Sequence, residues 1–130
     1  MTDSEQEARL VLARRFREQA DRSSEQDLRD ALSRSYYALY HAGIVLLGKA
    51  VSHREFPAEL EKFDTALAQT VSNLQKLRSK ADYDPEMVSR DYASDLELFR
   101  LKVGESLEEG RGAFQRLLLE IAKQRSDWKE

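Results

Sequence analysis

The chain has 130 residues, of which 35% are charged, and a formal net charge of −3. This length suits a single domain, residues 1–130, that buries a hydrophobic core without covalent cross-links. The absence of cysteine excludes disulfides, thiolate metal ligands and thiol nucleophiles. The slightly acidic balance argues against broad binding of duplex nucleic acid, which needs several unopposed cations, but it permits a local basic patch.

The sequence contains neither a long apolar run nor many helix-breaking residues. The longest apolar run, residues 42–47, is too short to cross a bilayer, and the polar N-terminus lacks the features of a secretory signal. We therefore expect a cytoplasmic protein that does not enter a membrane. Only two prolines and five glycines interrupt a sequence rich in good helix formers, which predicts an all-α fold.

The first predicted helix spans residues 4–22. Thr2 and Ser4 each precede a glutamate by three residues, so either can cap it. The arginines of this segment alternate with acidic residues, which is typical of a solvated face. The predicted buried stripe consists of Ala8, Val11, Leu12, Phe16 and Ala20.

The second predicted helix, residues 27–49, is the one around which we expect the domain to be organised. Ser24 is a candidate N-cap and Gly48 a candidate C-terminal stop. Two adjacent apolar faces predict contact with several neighbours at once. One face comprises Leu28, Leu32, Ser35, Leu39, Ala42 and Leu46, and the other comprises Tyr36, Tyr40, Gly43 and Leu47.

Two further helical patterns follow a short loop at residues 50–56. Pro57 suits the first turn of a third helix whose apolar spacing continues to Ala81, and the Asp84-Pro85 pair ends it. The last pattern runs from Val88 to Ile121, and we expect it to break near residues 89–94 or bend at Gly104 or residues 110–112. The tail, residues 124–130, is expected to fray. The four segments predict an antiparallel up-and-down four-helix bundle, with room for an extra short helix.

The polar residues Arg34, Tyr37 and His41 share the third side of the central helix. Such a row fits two interpretations. The side chains bond neighbouring helices, because arginine and histidine are rarely buried without a partner. Alternatively, they bind a ligand or take part in catalysis, where the near-neutral pKa of histidine matters.

Two motifs resemble the HEPN family (higher eukaryotes and prokaryotes nucleotide-binding domains). Residues 31–42, ALSRSYYALYHA, resemble its AxxRAYYAxFHA signature, and residues 77–84, LRSKADYD, resemble the R-x-x-ADYD element of the same branch. Ser52-His53 lies where that branch often has Ser-His. The resemblance implies a helical bundle, a homodimer with a nucleotide- or RNA-binding cleft, and a minimal nucleotidyltransferase as partner in a toxin–antitoxin or defence setting.

The same resemblance bears on ribonuclease activity, because the ribonuclease members use an arginine and a histidine of the later helix to cleave RNA. Arg78 suits the binding of a phosphate, but Tyr83 stands where histidine is expected. Asp82 is a candidate base that would repel a phosphate. The motif is incomplete, so we expect weak or no nuclease activity and leave open whether the protein is an enzyme.

The candidate site therefore comprises Arg78 and His41 as catalytic residues, with binding residues Arg34, Tyr37, Asp82 and Tyr83. A structural alternative has Arg78, Asp82 and Tyr83 closing the end of the third helix, with Asp82 paired to Arg34 or Arg78. We expect no cofactor and no metal, since the two histidines lack metal-ligand spacing. The alternative functions are a metal-independent ribonuclease toxin using Arg78 and His41, and a helical interaction module without a ligand.

Overall fold

The protein is all-helical over the residues that its computed structural model describes, which are 1–23, 28–83 and 96–128, with side chains described at 1–22, 29–79 and 100–125. The helices in these ranges are α1 (Asp3–Ser23), α2 (Leu28–Leu47), α3 (Phe56–Phe63), α4 (Thr65–Tyr83) and α5 (Leu96–Trp128). None of these helices combines the length and apolar character that a membrane span requires. The predicted all-α fold is confirmed.

Helix α2 occupies the centre and packs against each of the other four helices. Arg9 contacts His41 while Gln19 contacts Arg34, so α1 and α2 run antiparallel. Helix α5 runs antiparallel to α1, because Arg111 and Arg125 of α5 pair with Asp21 and Glu7 of α1. The salt bridge between Arg116 and Asp64 anchors the start of α4 against α5. The long helices thus follow an up-and-down course around α2.

Both predicted faces of α2 are buried or half-buried wherever their side chains are described, with Tyr40 and Leu47 half-buried. Leu32, Ser35, Leu39 and Ala42 are fully buried, and Tyr36 of the second face is too. Gly48 follows the last helical residue with φ +73°, a left-handed conformation that glycine adopts without strain. The helix therefore ends where the sequence predicts, whereas the proposed N-cap, Ser24, lies outside the described residues.

The buried face of α1 differs from the predicted stripe. Val11 and Leu12 are 46% and 38% exposed, and Ala8 is exposed as well. Of the predicted stripe, Ala20 is buried and Phe16 packs partly buried against the core, and the other buried positions are Gln6, Leu10, Ala13 and Arg17. Arg17 is only 7% exposed. Its guanidinium donates to Ser35 Oγ of α2 (3.2 Å) across the α1–α2 contact and pairs with Asp21 within α1 (2.6 Å). Arg17 is therefore buried at a position where a hydrophobic pattern predicts a solvent-exposed residue, because its aliphatic stem packs like an apolar side chain.

The N-terminus of α1 is capped as predicted, by Thr2. Its hydroxyl accepts from the backbone N–H of Glu5 (3.1 Å), and the Glu5 carboxylate accepts from the backbone N–H of Thr2 (2.9 Å). This reciprocal pair is a capping box.

The predicted third helix is divided in two at Asp64. This residue has extended backbone (φ −159°, ψ 118°), so α3 ends at Phe63 and α4 begins at Thr65. The Asp64 carboxylate accepts from the backbone N–H of Leu67 (3.0 Å) and caps the new helix. Pro57 lies in the first turn of α3, as predicted. The apolar spacing continues across the break, which is why periodicity alone indicates one helix.

Helix α5 is more regular than the sequence suggests, and it extends seven residues past Ile121, the end of the predicted pattern. It continues through Gly104 and Gly110 without interruption, and the tail expected to fray is helical as far as Trp128. The predicted break near residues 89–94 and the Asp84-Pro85 pair lie outside the described residues. The predicted apolar positions that are described are buried, and these are Val103, Leu107, Phe114, Leu117 and Ile121.

Candidate functional site

A group of aromatic and cationic side chains gathers where α2, α4 and the loop after α2 meet. We call it the Tyr–His–Arg cluster, and it consists of Tyr36, Tyr37 and Tyr40 of α2, His53 of the loop, and Arg78 of α4. The spacing of three and four residues places the three tyrosines along adjoining sides of one helix. The cluster includes two of the sequence-predicted site residues, Tyr37 and Arg78.

Arg78 lies against aromatic rings rather than against an acid. Its guanidinium carbon is 4.8 Å from the centroid of the Tyr36 ring and 5.3 Å from that of Tyr37. Its Nε is buried without a hydrogen-bond partner, and no carboxylate among the described side chains forms a salt bridge with it. The positive charge is therefore held by cation–π contacts and is not neutralised by any described acid.

The loop that carries His53 is fastened to the helices at several points. The Tyr40 hydroxyl donates to the carbonyl of Val51, and the Gln75 side chain of α4 donates to the carbonyl of His53 (3.4 Å). The His53 ring stacks on Tyr40 with 4.0 Å between ring centroids. These contacts fix a loop histidine above the tyrosines of α2.

His53 also bonds to Tyr36, the deepest member of the cluster. The Tyr36 hydroxyl lies 2.9 Å from His53 Nδ1, and Tyr36 is fully buried. Burial raises the pKa of Tyr36 to about 12, against the opposing effect of Arg78. The phenol therefore keeps its proton at any physiological pH. Burial, followed by the charge of Arg78, lowers the pKa of His53 below its ordinary value, so the imidazole is neutral at pH 7.

His41 belongs to a neighbouring arrangement on the α1 side of α2. Its Nδ1 accepts a hydrogen bond from Arg9 Nη1 (3.1 Å), and its ring stacks on Phe16 with 5.7 Å between centroids. Burial, then the charges of Arg9 and His53, lower the pKa of His41 to about 4. The packing of Phe16 against Tyr37, at 5.5 Å between centroids, connects this arrangement to the cluster.

The remaining predicted site residues are placed elsewhere or are not described. Arg34 pairs with Asp30 (2.7 Å) and donates to Gln19 of α1, so it serves the α1–α2 contact. The alternative in which Asp82 pairs with Arg34 or Arg78 involves a side chain outside the described residues. The side chains of Asp82 and Tyr83 lie outside the described residues. Tyr83 is the last residue of α4.

Sequence reasoning did not select Tyr36, Tyr40, His53, Arg9 or Phe16 as site residues. The tyrosines were assigned to packing, which they also perform, since Tyr40 contacts Phe56 edge to face at 5.2 Å. For His53 the available signal was the Ser-His pair in the loop, but only the fold brings that loop onto α2. No spacing rule within one helix links His53 to Arg78.

No metal centre emerges among the described residues, since no three histidine, aspartate or glutamate side chains there form a group able to hold an ion. The chemistry that remains is that of an arginine without a described acidic partner, a neutral histidine and half-buried tyrosine rings. Such a set binds anions and flat rings, and nucleotides contain both.

Comparison of the chain with known proteins found no matching family model, no match among curated proteins and no similar solved structure.

Proposed function

We propose that this protein is a HEPN-type domain that binds RNA or a nucleotide at the Tyr–His–Arg cluster and cleaves it weakly or not at all. The observation that supports this most directly is the state of Arg78, which has aromatic contacts on two rings and no described acidic partner. Burying part of a cation without an acidic partner costs free energy, and binding of an anion there would offset that cost. Phosphate is the natural anion for an arginine beside aromatic rings.

The surroundings of Arg78 add a surface for a base. Tyr37 and Tyr40 are half-buried, so neither residue is fully enclosed by its neighbours, and His53 is exposed. Bases stack on such rings without sequence preference. A phosphate on Arg78 and a base against a neighbouring ring together describe a single-stranded ligand, because bases in a duplex are already stacked on one another.

The resemblance on which the family proposal rests also implies partners. We propose a homodimer in which the cluster lines a shared cleft, together with a minimal nucleotidyltransferase in a toxin–antitoxin or defence setting. The aromatic surface of α2 does not by itself require a partner chain, because Phe16, His53 and Arg78 of the same chain contact it. The dimer therefore rests on the resemblance. A mass that stays that of one chain in light scattering from micromolar to millimolar protein would remove it.

The alternative of a ribonuclease toxin depends on His41 as the proton acceptor. A pKa of about 4 makes His41 a poor base at neutral pH. In addition, Arg9 occupies its Nδ1 as a donor, which leaves the ring proton on the other nitrogen. Both observations favour binding over cleavage.

The test is fluorescence anisotropy with a labelled single-stranded RNA of about ten nucleotides, in EDTA and at two salt concentrations. We expect salt-sensitive binding that Arg78→Ala weakens roughly ten- to a hundredfold, as for loss of a charged hydrogen bond. Arg14→Ala is the matched control, because Arg14 is an exposed arginine of another helix, α1, and is not part of the Tyr–His–Arg cluster. Equal loss in both variants, or no binding by the unmodified protein, would leave the interaction-module alternative.

A further inference from the structure

The hydrogen bond between Tyr36 and His53 fixes more than the position of the loop. Tyr36 is fully buried, and His53 Nδ1 is the only partner of its hydroxyl among the described residues. A buried phenol proton is rarely left unbonded. Tyr36 therefore donates and Nδ1 accepts.

This direction determines the tautomer of His53, since a neutral imidazole carries one proton. With Nδ1 accepting, the proton lies on Nε2. No described residue bonds to Nε2, and His53 is exposed. In its neutral state the ring therefore offers an N–H donor, not a lone pair, to whatever approaches it.

The same two rings position Arg78 and His53. Arg78 lies 4.8 Å and 5.3 Å from the centroids of Tyr36 and Tyr37, and the His53 ring lies 5.6 Å and 5.7 Å from those centroids. Besides burial, the charge of Arg78 lowers the pKa of His53, so the two groups are close enough to interact, and no described carboxylate forms a salt bridge with Arg78.

We propose that His53 Nε2–H, held in that tautomer by Tyr36, completes with Arg78 a two-donor site for a phosphate or other tetrahedral oxyanion. Tyr36 is a positioning residue in this scheme and His53 a binding residue. The inference rests on the proposed function and assigns the phosphate subsite within it. It also gives a reason for weak cleavage, because an Nε2 that already carries a proton cannot accept one from a 2′-hydroxyl.

The proposal predicts anion binding that does not require a charged histidine. Among the described residues, the titratable and charged groups facing His53 are the phenols of Tyr36, Tyr37 and Tyr40 on α2 and the guanidinium of Arg78 on α4. Arg54 and Glu55 are next to it in the loop, and His41 of α2 interacts with it electrostatically. Sulfate is a suitable probe, because it stays a dianion from pH 6 to 8, whereas the charge of phosphate changes over that range. Binding that persists at pH 8 then reports the neutral donor.

The first experiment is long-range proton–nitrogen NMR of the ¹⁵N-labelled full chain at pH 8. The chain has only two histidines, so His41→Gln assigns the remaining signals to His53. We expect the His53 proton on Nε2, and a mixture of tautomers in Tyr36→Phe. A proton on Nδ1 in the unmodified protein would overturn the proposal.

The second experiment is titration with sulfate at pH 8, followed by NMR. We expect His53→Ala to weaken binding roughly three- to tenfold, the effect of one neutral hydrogen bond, and Arg78→Ala to weaken it further. His53→Ala changes an exposed loop residue, so it tests the site even if Tyr36→Phe fails to fold. Unchanged sulfate affinity in His53→Ala, or no sulfate binding by the unmodified protein, would overturn the proposal.

Different results would refute the proposed function and the proposed anion subsite. Arg78-dependent RNA binding that is indifferent to His53→Ala supports the proposed function and refutes this subsite. His53-dependent sulfate binding in a protein that ignores RNA and nucleotides supports the subsite and refutes the proposed function.

Discussion

The ring of Phe56 occupies the space in which a side chain at Gly43 would stand. A β-carbon built on Gly43 would lie 2.3 Å from Phe56 Cζ, and Phe56 is fully buried, so its ring has little freedom to retreat. We expect Gly43→Ala to lower the free energy of unfolding by about 1–3 kcal/mol, as overpacking of a core does. Urea denaturation measures this.

Gly104 supplies the matched control for that substitution. A β-carbon there meets nothing within 4 Å, and the residue is in the interior of α5. Gly104→Ala should therefore stabilise the protein by about 0.5–1 kcal/mol, the helix-propensity difference. If Gly43→Ala stabilises the protein as Gly104→Ala does, the close approach of α2 to Phe56 is not as described.

Leu39 lies on the most buried face of the central helix and is fully inaccessible. Leu39→Ala should destabilise the protein by about 2–5 kcal/mol, through lost transfer energy and a residual cavity. Leu119→Ala, at a position on α5 that is 64% exposed, should cost far less. An unchanged denaturation midpoint in Leu39→Ala would contradict the central position of α2.

The low pKa of His41 predicts a loss of stability in mild acid. In the unfolded chain the imidazole takes up a proton near its ordinary pKa of 6.5, whereas burial beside Arg9 keeps it neutral in the folded protein down to about pH 4. The unfolded state binds more protons across that window, so the stabilising contribution is complete above pH 6.5 and is lost as the pH falls toward 4. His53 contributes in the same direction.

His41→Gln isolates this contribution, since glutamine packs in similar space and does not titrate. The free energy of unfolding of the variant should depend less steeply on pH between 6.5 and 4.5 than that of the unmodified protein. Parallel curves for the two proteins would show that His41 is not held neutral by its surroundings.

Ribonuclease activity in EDTA is expected to be weak or undetectable. A missing acid–base group typically costs 10²–10⁴-fold in rate, and neither His41 nor the tyrosine at position 83 supplies one at neutral pH. Gel assays with labelled RNA, and with Arg78→Ala purified in parallel to reveal contaminating nucleases, measure this. Rapid cleavage that disappears in His41→Ala would establish the toxin alternative instead.

The sequence predicts α2 well because its pattern is redundant. Two apolar faces with every described position at least half-buried leave only one arrangement, with neighbours on both sides. Helix α1 was less predictable, since Arg17 and Gln6 are buried while Val11 and Leu12 face outward. Residue types describe whole side chains, whereas burial acts on atoms, and the stem of an arginine counts as apolar surface.

The site was predictable to a similar degree and for a related reason. Tyr37 and Arg78 come from motifs, and the structure brings them together. His53 was not predicted as a site residue, because it reaches the cluster only when its loop folds over α2. Contacts between distant segments produce no periodic pattern in the sequence. The separation of Arg34 from the site has the same origin, since its partner Gln19 is on another helix.

The break at Asp64 fixes the position along α4 from which the location of Arg78 is counted. The carboxylate that caps α4 also pairs with Arg116, so the starting point of the helix is fastened to α5. Arg78 stands fourteen residues further on, about 21 Å along the axis at the usual rise. Each residue inserted or removed between them would turn the guanidinium by roughly 100° around the helix, off the tyrosine rings. The number of residues between Asp64 and Arg78, and not only their identity, therefore determines whether the guanidinium lies against the tyrosine rings.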